Sequence, residues 1–132
     1  MPKSDEQDLI EVGFLESVLK RAPDDVTVLR ALADLYTHVG RYEDGLYLDL
    51  RLGELCPDDP MVWYNLGCSY ALVRRPNDAL ESLAKAVGLG YSDGEWMKKD
   101  QDLASLHDDP GFQRILASIS TSSGLVDLDG PN

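Results

Sequence analysis

The chain has 132 residues, enough for one domain with a modest core. Twelve Lys and Arg stand against 24 Asp and Glu, a formal net charge of −12, which repels phosphate backbones and anionic lipid and so argues against nucleic-acid and membrane partners. Its longest apolar runs are a few residues, far short of the roughly 20 that a membrane-spanning helix needs.

The same acidity favours solubility and protein partners with basic flanks. Cys56 and Cys68 form no C-x-x-C pair, so no disulfide framework is expected and a reducing, cytoplasmic setting is the default. Residues 1–8 are polar and acidic, with no basic stretch leading into an apolar run, so no signal peptide is expected.

In chain order, Leu9, Val12, Leu15, Val18 and Leu19 recur at three- and four-residue spacings and predict a helix over 5–21, ended by Ala22-Pro23. Asp25 caps a second helix over about 26–39, whose inner stripe is Leu29, Leu32, Ala33 and Tyr36, with Gly40 as its left-handed stop. A third helix runs about 42–56, up to Pro57. Asp59-Pro60 opens a fourth, carrying Trp63, Leu66, Gly67 and Tyr70. Pro76 opens a fifth, with Ala79, Leu80, Leu83 and Ala86 inward and Gly88 and Gly90 at its end. Shorter helices follow at 93–99, 101–107 and 110–119. From Ser120 the composition turns to Ser, Thr, Gly and Asp, and 120–132 reads as a disordered tail.

The second to fifth helices repeat at a spacing of 34 residues: Leu32 falls on Leu66, Ala33 on Gly67, Tyr36 on Tyr70, Asp44 on Asp78 and Leu46 on Leu80. A period of that length marks a helix–turn–helix unit that buries its apolar face by stacking on a neighbour. Trp63, Leu66, Gly67, Tyr70, Ala79, Leu83 and Ala86, and more weakly Leu29, Leu32, Ala33, Tyr36, Gly40, Tyr42 and Pro57, resemble the tetratricopeptide repeat. The pattern departs at Arg74, in place of a turn glycine, at Tyr91, in place of a closing proline, and at Asp49, in place of an apolar residue. Gly90-Tyr91, Asp100, Asp102-Leu103, Leu106, Asp109-Pro110, Phe112 and Leu116 are similar to the segment that closes runs of such repeats in bacterial proteins.

The resemblance implies an all-α helical solenoid over residues 1–119. It has repeats at about 26–59 and 60–93, an N-terminal half-repeat helix, and a closing segment at 90–119. It also implies a non-catalytic protein-interaction module, an adaptor or assembly factor, binding a peptide or protein segment in a concave groove. Carried over by position, the groove residues are Arg30, Asp34, Thr37 and His38 in the first repeat and Met61, Tyr64, Asn65, Cys68 and Leu72 in the second. Trp63 is then core and Tyr64 groove-facing. A rival is self-association, as a chaperone or regulator, through an outer face at Tyr47 and Leu50, unless the third helix is rotated to bury them.

No catalytic, cofactor or metal-binding pattern stands out. There is no phosphate loop and no His-Glu-x-x-His, His38 and His107 are isolated, and the cysteines lack zinc spacing. An enzyme with an unrecognised site is the reading from another class. The Asp pairs at 24–25, 58–59 and 108–109 directly precede helix starts and read as caps.

Overall fold

The computed structural model describes the backbone of residues 2–129 and the side chains of residues 5–119. Its elements are α1 (Pro2–Arg21), α2 (Val26–His38), α3 (Tyr42–Leu55), α4 (Pro60–Leu72), α5 (Pro76–Gly88), α6 (Gly94–Lys99), a 3-10 helix (Gln101–Leu106) and α7 (Pro110–Asp129), with no strand among the described residues. The fold is all-α and built of helical repeats, as the 34-residue period requires. Two compact units divide the chain, residues 1–58 and 59–132.

Aspartates cap the starts of α2, α4 and α7, whereas α3 and α5 follow Arg41 and Arg75 with no side-chain cap. Asp25 accepts from the Val28 N–H at 3.2 Å, Asp59 from Met61 at 2.9 Å and Asp109 from Gly111 at 2.7 Å. Each satisfies a backbone donor that the first turn leaves unpaired. Asp24, the partner of Asp25 in sequence, pairs instead with Arg51 of α3.

In the first unit α1 and α3 both pack on α2. Leu29, Leu32, Ala33 and Tyr36 of α2 are buried together with Val12, Leu46 and Leu52. The Tyr36 hydroxyl donates to Glu16 of α1, and burial together with that carboxylate pushes its pKa up to about 12. Arg41 lies over the Tyr36 ring at 4.4 Å from its centroid and bonds Asp44 at 2.8 Å.

The second unit repeats this joint one period on. Arg75 lies 4.8 Å from the centroid of Tyr70 and bonds Asp78 at 2.9 Å. The backbone matches too, with Arg41 N–H on Tyr36 C=O at 2.8 Å and Arg75 N–H on Tyr70 C=O at 2.9 Å. α4 and α5 approach so closely that a Cβ on Gly67 would sit 2.7 Å from the Leu83 side chain. That contact explains the small residue at this point of the repeat.

Two departures from the repeat pattern have visible consequences. Arg74 takes φ 66°, where the first repeat has Gly40 at φ 86°. A side chain there costs roughly 1–2 kcal/mol. Arg74→Gly is therefore expected to raise stability by about 0.5–1 kcal/mol after the entropy of the unfolded glycine is offset, read as a shift in the denaturation midpoint. In α3, Asp49 is buried and Tyr47 and Leu50 are 74% and 40% exposed, so the helix keeps its register and the apolar pair faces outward.

α7 ends differently from expectation. The composition suggests a helix over 110–119 and a disordered tail from 120, whereas the backbone stays helical through Asp129. No proline falls between Pro110 and Pro131, and the Ser, Thr and Gly residues there are weak helix formers rather than breakers. Residues 130–132 of that expected tail lie outside the described residues.

Candidate functional site

Each unit presents one face of its first repeat helix, and the two faces differ. On α2, Thr27, Ala31, Asp34 and His38 are exposed, while Arg30 and Thr37 are half-buried. Between α1 and α2 lies an open depression of about 230 Å³ lined by Glu11, Leu15, Ala31, Asp34, Leu35 and His38. His38 Nε2 stands 3.2 Å from Asp8 of α1. Partial burial raises the Asp34 pKa, with Arg30 pulling the other way. The depression thus combines an apolar floor with an acidic rim.

On α4 the corresponding face is covered at Tyr64 and Cys68. The 3-10 helix packs on α4, α6 packs on the 3-10 helix, and α7 packs on α5 and α6. Tyr64 is only 2% exposed, and its ring stacks on Tyr91 with centroids 4.4 Å apart and planes 7° apart. Its hydroxyl donates to Asp100 Oδ2 at 2.6 Å. Cys68, one turn on, is buried with its sulfur 3.7 Å from the same oxygen. The other oxygen, Oδ1, accepts from the Asp102 N–H at 3.0 Å and so caps the 3-10 helix. Burial drives the Tyr64 and Cys68 pKa values well up, and nearby carboxylates add to the shift. Burial also raises that of Tyr91, to about 12.

The expectation that Tyr64 and Cys68 line an open groove is corrected by this arrangement. Gly67 faces α5, at Leu83 and Ala79, but the closing segment lies over the face that Tyr64 and Cys68 occupy. Of the five groove positions carried over to α4, Met61 is exposed, and Asn65 and Leu72 are half-buried. Trp63 is half-buried at the margin of the core, with Lys85 Nζ 4.2 Å from its ring centroid. Sequence reasoning missed the Tyr64–Tyr91–Asp100 contact. Its one signal is an aromatic residue, Tyr91, where the repeat pattern has proline.

Helical hairpins joined by a repeated Tyr–Arg–Asp corner, followed by a packed closing segment, define a helical-repeat protein with a tetratricopeptide-like fold. Two solved structures share it. One, described as "MamA MSR-1 C2", is 22% identical, with a TM-score of 0.68 over 89% of this chain and 70% of that one. The other, described as "Crystal structure of MamA protein", is 19% identical, with a TM-score of 0.69 over 90% of this chain and 67% of that one. No family model matches the sequence. No helix among the described residues is long and apolar enough to cross a membrane.

Proposed function

We propose that the chain is a non-catalytic protein-interaction module, an adaptor or assembly factor, that holds a peptide or protein segment on the exposed face of α2. Arg30, Asp34, Thr37 and His38 are the contact residues of this reading. The observation that carries it is the contrast between the two faces: the α2 face stays open beside a depression, whereas the centre of the α4 face, Tyr64 and Cys68, is packed over. Leu15 and Leu35 offer apolar contact, and Glu11 and Asp34 favour basic residues in the bound segment. Association should therefore slow as salt is added.

Capture of partners from native lysate, identified by mass spectrometry, tests this reading. Asp34→Lys with His38→Ala is expected to lower capture at least tenfold and leave the circular dichroism spectrum unchanged. A second reading rests on the exposed apolar face of α3, where Tyr42, Tyr47 and Leu50 are 39%, 74% and 40% exposed. Self-association through that face is read by sedimentation. If Tyr47→Ser with Leu50→Ser abolished assembly or capture while the α2 variant did not, the α2 reading would fall and the α3 face would replace it.

A further inference from the structure

The buried junction between α4 and the 3-10 helix gathers donors that lie far apart in sequence. Cys68 Sγ and one carboxylate oxygen each of Asp100 and Asp102 all lie within 4.8 Å of one another. A tetrahedral cation with sulfur at about 2.3 Å and oxygen at about 2.0 Å holds such donors roughly 3.5 Å apart. The 3.7 Å between Cys68 Sγ and Asp100 Oδ2 is close to that separation.

The charges at this place do not balance. Neither Asp100 nor Asp102 takes part in an ion pair with Lys, Arg or His among the described residues. Asp100 is buried and Asp102 half-buried, and two carboxylates this close with no positive partner are costly. Asp100 is also held as a metal-binding carboxylate is held, by the Tyr64 hydroxyl on one oxygen and a backbone N–H on the other.

An independent observation comes from Tyr91. It is 8% exposed, and its hydroxyl is buried with no hydrogen-bond partner. Its ring lies flat on Tyr64, and Tyr64, Cys68 and Asp100 are all among its electrostatic neighbours. A buried phenol left unpaired beside a thiol and carboxylates is the group that a cation, or a water bound to it, satisfies.

We propose that Cys68, Asp100 and Asp102 form a binding site for a divalent transition-metal cation of the zinc class, with a bound water at its fourth position. The sulfur donor sets the class, since magnesium and calcium prefer all-oxygen sites. Binding displaces the Cys68 thiol proton to solvent, so affinity rises with pH. The cation ties α4 to the 3-10 helix and makes the closing segment a metal-held cover. The sequence shows no metal-ligand spacing because Cys68 and Asp100 stand 32 residues apart and meet only in the fold.

The test uses the full chain, without an affinity tag and stripped with chelator. Titration with Co²⁺ is expected to give a saturable sulfur-to-cobalt charge-transfer band, lost on adding Zn²⁺, and Zn²⁺ should raise the melting temperature. Cys68→Ser should abolish the band. Asp102→Asn, at a half-exposed position, should weaken Zn²⁺ binding at least tenfold while the circular dichroism spectrum stays that of the wild type. Cys56→Ser should change neither. The proposal is overturned if the wild-type chain shows no band and no thermal shift, or if Cys68→Ser and Asp102→Asn bind as the wild type does.

Discussion

Tyr64→Ala is expected to destabilise the protein by about 3–5 kcal/mol, the range for removing a buried aromatic ring. Trp63→Ala is expected to cost less, about 1–3 kcal/mol. The order follows from burial: Tyr64 is 2% exposed and stacked on Tyr91, whereas Trp63 sits half-buried at the margin of the core. Tyr64→Phe separates ring from hydroxyl. It keeps the stack but leaves a buried oxygen of Asp100 without its donor, which costs roughly 1–3 kcal/mol. Chemical denaturation at neutral pH measures all three. Equal midpoints for Tyr64→Ala and Trp63→Ala would mean that the closing segment covers α4 only loosely.

The repeat was legible because its contacts are local and recur. Each Tyr–Arg–Asp corner lies within nine residues of chain, Tyr36 to Asp44 and Tyr70 to Asp78, so the 34-residue shift superposes the chemistry as well as the helices. Arg41 and Arg75 also stand 34 apart, but their role, a cation over a tyrosine ring, leaves no mark in the pattern of apolar and small residues. The caps were legible for the same reason: an aspartate at a helix start acts on backbone two or three residues ahead.

What was not legible depends on contacts distant in sequence. Periodicity places Tyr64 and Cys68 correctly on α4 but cannot show that Tyr91 and Asp100 return to cover them, 27 and 36 residues on from Tyr64. Tyr47 and Leu50 were undecided for a related reason. Their exposure depends on whether α3 tolerates Asp49 inward, and the structure shows that it does, with Asp49 at 4% exposure. Both results bear on function. The first removes Tyr64 and Cys68 from the expected groove, and the second supplies an outer apolar face.

Asp100→Ala should produce the second large effect, because one carboxylate holds the cover at several points. It accepts from the Tyr64 hydroxyl, caps the 3-10 helix through the Asp102 N–H, and lies against Cys68. Losing the buried acceptor and the cap together is expected to cost about 2–4 kcal/mol. The loss should be uneven. Gly67 and Leu83 join α4 to α5 without help from Asp100, while the 3-10 helix is capped by it. Amide exchange over 101–106 should therefore accelerate well before exchange in α4 and α5. Cys68 supplies a chemical reporter of the same event. In a Cys56→Ser background with chelator present, its alkylation should be slow in the parent chain and at least tenfold faster in Asp100→Ala. If the rate did not change, Met97, Leu103 and Leu106, each at most 1% exposed, would hold the cover by apolar packing alone. If it rose as expected, the carboxylate is the latch, and opening it converts the packed α4 face into a second surface like the one α2 already presents.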